Sequence, residues 1–392
     1  MENRTGLFTN MTIWFGVAIS VSEIQAGIQI ASAAPLNLIW VPLILGHVIG
    51  GVLLYFVGLI GARLRVNAME SIKSTFGNLG SKFFAALNVM QLIAWVAVLN
   101  AQGAMALMGL NMPISFALTC VILAVLIAIW VFIGLRRTSK ITSVIMMVLT
   151  ALLVILSVRL LAMGGYNLMP VANSETLTFW NIFEISIAMP ISWLPVISDY
   201  TKDVENPKKA TALSALAYTV ASLWMYFIGI EVVCMGTLDI SQAILISGLG
   251  VQGVIILVLS TVTTNFLATN SAGESAKAIF NRLDPKLAGV VVSFLSAGLA
   301  ISGIMDHYIS FLYLISSVFA PMASVLVVSF YFGNDNNEAK DWYWNIVSWF
   351  AGFAVYQLTA GLDSIFLGPT LISVIVSGAL AYAWILVKGK LN

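Results

Sequence analysis

Long apolar runs, each sufficient to cross a bilayer as a helix, fill almost all of this sequence, and no other feature limits its fold as severely. Spanning a hydrocarbon core of roughly 30 Å takes about 20 apolar residues in a helix. Twelve runs of about that length occur, at 11–34, 38–61, 82–108, 113–134, 141–163, 179–199, 210–235, 250–272, 287–304, 307–331, 342–361 and 366–387. Only 9% of the 392 residues are charged, against about 25% in soluble domains, so lipid is the natural solvent. The runs are continuous rather than alternating, which argues against a β-barrel. The expectation is an all-α polytopic membrane protein with twelve transmembrane helices and no soluble domain. The first run ends in "ASAAP" (31–35), but it is too long for a signal-peptide core and reads as a retained helix.

With twelve spans both termini lie on one side. The loops of that side carry 17 of the 18 Lys and Arg residues, Arg159 alone falling opposite. The positive-inside rule therefore places both termini in the cytoplasm, in the inner membrane of a prokaryote. The net charge of +1 reflects this asymmetry and gives no reason to expect nucleic acid. Cys120 and Cys234 lie within apolar runs, and the two histidines are far apart, so neither a disulfide framework nor a metal motif is present.

Two runs are interrupted by polarity. "SVSEIQAG" (20–27) sets Ser20, Ser22, Glu23 and Gln25 about 9–14 residues into the first span, close to mid-membrane at ~1.5 Å per residue. "AMPISWLPVISD" (188–199) puts Pro190 and Pro195 at similar depth in the sixth span, which enters from the opposite side. Proline removes a backbone donor and clashes with the preceding turn, so the sixth span should break. Interrupted helices at matching positions of two oppositely oriented halves are the mark of inverted-repeat secondary transporters. The repeats are placed at 11–163 and 179–331, with two additional helices at 342–387, all in one transporter domain 1–392. The polar segment 237–250 is too short to span and reads as a re-entrant or surface helix.

Polar and aromatic groups gather at the same depth on two further spans. The third carries Asn88, Gln91, Trp95 and Asn100, and the eighth carries "LSTVTTN" (259–265), with Ser260 and Thr261 central. Hydroxyls and free carbonyls are hard oxygen ligands for a small cation. Trp95 offers a flat stacking face, and Glu23 is a carboxylate in a place where ionised groups are rare and face the interior. His47, amid the small residues of "GHVIGG" (46–51), reads as a packed histidine.

The segments "WFGVAISVSEIQAG" (14–27), "NVMQLIAWVAV" (88–98), "MPISWLPVISDYTKD" (189–203) and "VLSTVTTNFLATNSAGES" (258–275) resemble the nucleobase–cation symporter-1 family. Within it they are most similar to the CytX type, a group assigned to hydroxymethylpyrimidine transport. The resemblance extends over residues 11–331. It implies the LeuT-type five-plus-five inverted repeat with broken helices one and six, and two C-terminal helices besides. It implies cation-coupled import, by alternating access, of a pyrimidine-type substrate such as hydroxymethylpyrimidine (a thiamine precursor) or cytosine. The substrate residues implied are Glu23, Gln25, Asn88, Gln91, Trp95, Trp193 and Asn265; the sodium residues are Val21, Ile24, Leu257, Ser260 and Thr261. No cofactor is implied beyond sodium, or a proton, as coupling ion. The sequence departs from some members at Leu99, where they carry Gln, and at Phe266, where they carry Asn.

Other classes fit less well. A channel needs a filter loop or pore-lining rings, and a membrane enzyme needs a nucleophile–base pair or metal cluster; neither pattern is visible. An amino-acid carrier of the same architecture would receive a carboxylate at the first break, where Glu23 repels one.

Overall fold

The computed structural model describes residues 4–110, 113–163, 177–333, 342–362 and 366–391, leaving aside the side chains of 135–143, 256, 260, 390 and 391. Helices occur where the apolar runs lie: α1 (Leu7–Ala18), α2 (Val21–Ala33), α3 (Leu36–Leu64), α4 (Ala68–Met108), α5 (Phe116–Ile133), α6 (Leu135–Met163), α7 (Phe179–Ser192), α8 (Ile197–Thr201), α9 (Pro207–Cys234), α10 (Ile240–Ile246), α11 (Gly250–Ile279), α12 (Pro285–Ile301), α13 (Tyr308–Phe332), α14 (Trp342–Thr359) and α15 (Gly368–Leu391). Among the described residues eight helices are long and apolar enough to cross a membrane, or nine when α1 and α2 count as one bent span. Helices α7 and α12 fall short by length, with 14 and 17 residues. In α14 the Trp, Tyr, Asn and Gln side chains dilute the apolar run.

Side-chain caps set many of the helix starts. Ser20, Asn67, Ser115, Thr178, Asn206, Asp239 and Asp284 each accept a hydrogen bond from a backbone N–H of the first turn. These are the residues whose short polar side chains suit that position. Pro207 and Pro285 follow two of the caps, where a missing N–H costs nothing. The segment 237–250 forms the short helix α10, as its length and polarity predict. The connection between spans two and three differs from expectation. Residues 68–76 are helical, and the backbone turns at Gly77 (φ +70°) before the third span continues; a residue with a Cβ would be strained there. Residues 164–176, between the fifth and sixth predicted spans, lie outside the described residues.

The helices pack as two groups. The first unites α1, α2, α3, α7, α8 and α9, and the second unites α4, α5, α11 and α12. Close approach within the first group depends on small residues. A Cβ on Gly27 or Gly229 would collide with backbone of the facing helix, and one on Gly46 or Gly50 would strike Ser186 or Pro190. The C-terminal pair α14 and α15 packs on α13. Glu184 of α7 fixes the start of α15, accepting from the Thr370 backbone N–H (3.0 Å), the Thr370 hydroxyl and the Tyr356 hydroxyl (3.4 Å). A carboxylate at a helix N-terminus satisfies orphan donors and opposes the positive end of the helix dipole. Apolar side chains such as Ile122, Leu126 and Ile129 of α5 point outward, where the bilayer covers them.

Candidate functional site

The two interrupted spans break where the sequence requires it, though over fewer residues than the polar stretch of the first span suggests. Helix α1 ends at Ala18 and α2 starts at Val21, the pair bending by 48°. Only Ile19 and Ser20 leave the helix, because the Ser20 hydroxyl caps the new one by accepting from the Glu23 N–H (3.4 Å). Ser22, Glu23, Ile24 and Gln25 are therefore helical, not unwound as expected. In the sixth span α7 ends at Ser192, two residues past Pro190, and residues 193–196 form turns around Pro195 before α8 begins.

Between the breaks lies a pocket lined by both helix groups. The first span supplies Val17, Ser20, Ser22 and Glu23, and the sixth supplies Met189, Ser192 and Trp193. From the opposing group come Leu92, Trp95 and Leu99 of α4, with Thr264 and Ala268 of α11. Glu23 is the one ionisable side chain of this lining. It is 3% exposed and accepts hydrogen bonds from the Tyr218 hydroxyl (2.8 Å) and the Ser222 hydroxyl (2.7 Å) of α9. Trp95 is held by edge contacts with Phe311 and Tyr308, at centroid distances of 5.2 and 6.3 Å. Trp193 meets Trp14 edge-on at 5.8 Å, and Trp14 also touches Tyr200 and Tyr218. The aromatic walls are thus braced from behind, one in each helix group.

The remaining predicted residues fall into three sets. Asn88 and Gln91 hold the break rather than line the pocket. The Asn88 amide donates to the Ser275 hydroxyl (2.8 Å) and the Pro195 carbonyl (3.4 Å), and the Gln91 amide donates to Asn88 Oδ1 (2.8 Å) and the Ser192 carbonyl (3.0 Å). Gln25 is half-buried on α2 and absent from the lining. Asn265 is fully buried beside the lining residue Thr264, and both its amide atoms lack a partner, as do Gln91 Oε1 and Trp95 Nε1. An unpaired buried polar group costs about 1–3 kcal/mol; of these atoms only Trp95 Nε1 belongs to a residue of the pocket lining.

Of the predicted sodium residues, Leu257 and Thr261 lie one turn apart on α11, where the Thr261 hydroxyl donates back to the Leu257 carbonyl (3.1 Å). The side chain of Ser260 is outside the described residues. Val21 and Ile24 sit within α2, which packs on α9, α4 and α7. The Ile24 carbonyl lies against Gly229 of α9. Sequence reasoning passed over Tyr218 and Ser222. Their signal was a stripe, Tyr218, Ser222 and Tyr226, spaced four residues apart along the seventh span.

A family model described as permease for cytosine/purines, uracil, thiamine, allantoin matches residues 1–345. The chain belongs to this permease family. The membership makes it a transporter rather than an enzyme. The cytosine permease of Escherichia coli (strain K12) is 22% identical over 331 residues, covering 83% of the chain and 78% of that relative. Among solved structures, the permease is similar to the inward-facing conformation of Mhp1, with a TM-score of 0.80, 21% identity, and coverage of 99% of the chain and 92% of Mhp1. It is also similar to Mhp1, a nucleobase-cation-symport-1 family transporter, closed with bromovinylhydantoin bound (TM-score 0.73, 20% identity, 98% and 94% coverage). A sodium-coupled sialic acid symporter shares the fold at TM-score 0.63 and 13% identity, with 98% and 96% coverage. The permease is thus an all-α, multi-pass membrane protein of the LeuT-type inverted-repeat fold.

Proposed function

We propose that this permease imports a neutral pyrimidine-type solute, hydroxymethylpyrimidine or a nucleobase such as cytosine, driven by a coupled cation. One observation carries the reading. The lining of the pocket between the broken spans includes two indoles, Trp95 from one helix group and Trp193 from the other, and a single ionisable side chain, Glu23. Flat aromatic faces favour a planar ring, and a carboxyl group accepts from ring or exocyclic N–H groups. A carboxylate-bearing amino acid would meet Glu23 with no cation in the lining to offset it. The family's substrates and the hydantoin seen in Mhp1 point to the same class of ring.

Sodium is the coupling ion we assign, between α11 and the start of α2. Thr261, Ser260 and the Leu257 carbonyl contribute on one side, and Val21 and Ile24 on the other. Coupling arises when ion and solute both bind one conformer better than its alternative. In this reading the repeats are 11–163 and 179–331, twelve spans cross the inner membrane of a prokaryote, and both termini face the cytoplasm.

Equilibrium binding to purified protein tests it. Labelled cytosine and hydroxymethylpyrimidine should bind saturably, more tightly in sodium than in choline, and amino acids should not compete. Saturable binding of a labelled amino acid, with no binding of either pyrimidine, would overturn the reading.

A further inference from the structure

A second pocket shares no lining residue with the one between the broken spans. The starts of α7, α13 and α15 and the end of α14 come together around it. Its lining includes Trp180 and Glu184 of α7, Tyr313 of α13, Tyr356 and Thr359 of α14, and Gly368 of α15.

Glu184 gives this pocket its chemistry. The side chain is 3% exposed, and acids are almost never so buried unless paired. As a carboxylate it offers about four lone-pair sites. Three are met, by the Thr370 backbone N–H, the Thr370 hydroxyl and the Tyr356 hydroxyl. The surrounding elements hold no cation to pair with it. The sequence has no Lys, Arg or His in 160–201, 308–339 or 341–387, the stretches that carry every residue of the lining. His307, just before α13, is exposed and outside the lining. Arg63 of α3, which packs on α7, lies over the Tyr331 ring at the far end of α13. The start of α15 offsets about half a charge. The rest calls for a cation from outside the chain, because a buried charge is either paired or given up.

The carboxylate and an indole meet across a glycine. A Cβ on Gly368 would lie 2.7 Å from Glu184 Oε1 and 3.3 Å from Trp180 Cε3, so the missing side chain leaves open the space beside both. Phe183 and Phe366 brace Trp180 through edge contacts at 5.5 and 5.7 Å. Tyr313 and Tyr356 add two further rings to the lining. Aromatic rings attract organic cations, Trp most strongly, whereas a hard metal ion demands a shell of oxygens. The lone pair left on Glu184 calls for an N–H. The Thr359 hydroxyl, whose hydrogen goes to the Val355 carbonyl (2.8 Å), can accept another. A quaternary ammonium has no N–H to give either of them.

We propose that this pocket binds a primary ammonium group, with Glu184 as its counter-ion and Trp180 as its cation–π partner. Two sources present that group: the headgroup of phosphatidylethanolamine and a free small amine. Occupancy ties α7, whose other end carries the sixth-span break, to the C-terminal pair α14 and α15.

The test uses purified protein, freed of lipid in a non-ionic detergent. Native mass spectrometry after addition of phosphatidylethanolamine, its N-acetyl derivative or phosphatidylglycerol reads the lipid; equilibrium dialysis against labelled ethanolamine reads the free amine. The expected result is one ammonium ligand per chain, with the N-acetyl derivative and phosphatidylglycerol not retained. Retention of phosphatidylethanolamine without ethanolamine binding identifies the headgroup as the source, and ethanolamine binding alone identifies a free amine. Glu184→Gln should weaken whichever binding is seen at least about tenfold, as loss of a buried charge partner does. Trp180→Leu should weaken it about two- to fivefold. The second variant leaves the α15 cap untouched, so the test stands even where Glu184→Gln fails to fold. Binding of neither amine would overturn the proposal. So would equal retention of the N-acetyl derivative, or wild-type affinity in either variant once folded. None of these readouts involves the transport pocket.

Discussion

Asn88 illustrates how a single amide organises the sixth-span break. Its donors reach Ser275 and the Pro195 carbonyl, and its oxygen receives Gln91, so three elements depend on it. Removing it leaves buried partners unsatisfied, at about 1–3 kcal/mol for such a group. Asn88→Ala should therefore lower the thermal midpoint of the purified protein, read by a fluorescence unfolding scan; an unchanged midpoint would contradict this role. Glu23, Trp95 and Trp193 were legible in the sequence because a carboxylate at mid-membrane depth and indoles beside breaks have few other uses there. Tyr218 and Ser222 were not, since their meaning lies in contacts with Glu23 almost two hundred positions away. Asn88 and Gln91 were recognised as polar groups at the right depth, yet only packing reveals that their hydrogen bonds support the break instead of lining the pocket.

At the scale of elements, the contact of α2 with α9 rests on Gly27 and Gly229, each against the other helix's backbone. Gly27→Ala forces those helices apart, and the expected outcome is a sharp loss of monodisperse protein in size-exclusion chromatography. Wild-type yield would show that the helices separate freely. The prolines made the sixth break legible. The first break was harder to bound, because Ser22 and Gln25 are polar for reasons of partners and position, while Ser20 alone does the capping. The helical start of α4 at 68–76 was hidden by polar residues that suit a loop equally well. For the ion, Ser260→Ala combined with Thr261→Ala should remove the sodium enhancement of solute binding, measured as the affinity ratio in sodium and choline. A preserved ratio would place the ion elsewhere.

For the whole molecule, the apolar runs carried the all-helical membrane architecture, and the grouping into two packed helix sets required the fold itself. The candidate site lies between these sets, with Glu23 and Trp193 on one and Trp95 on the other, so relative motion of the sets would open and close it. That placement is what alternating access demands of a transport site. The direct test is uptake of labelled cytosine and hydroxymethylpyrimidine into proteoliposomes under an imposed sodium gradient, comparing wild type with Trp95→Ala. The account predicts concentrative uptake that collapses with the gradient and falls at least about fivefold in the variant, as loss of ~1–3 kcal/mol of ring stacking requires. Folded protein that accumulates neither pyrimidine, or a Trp95→Ala variant as active as wild type, would contradict it.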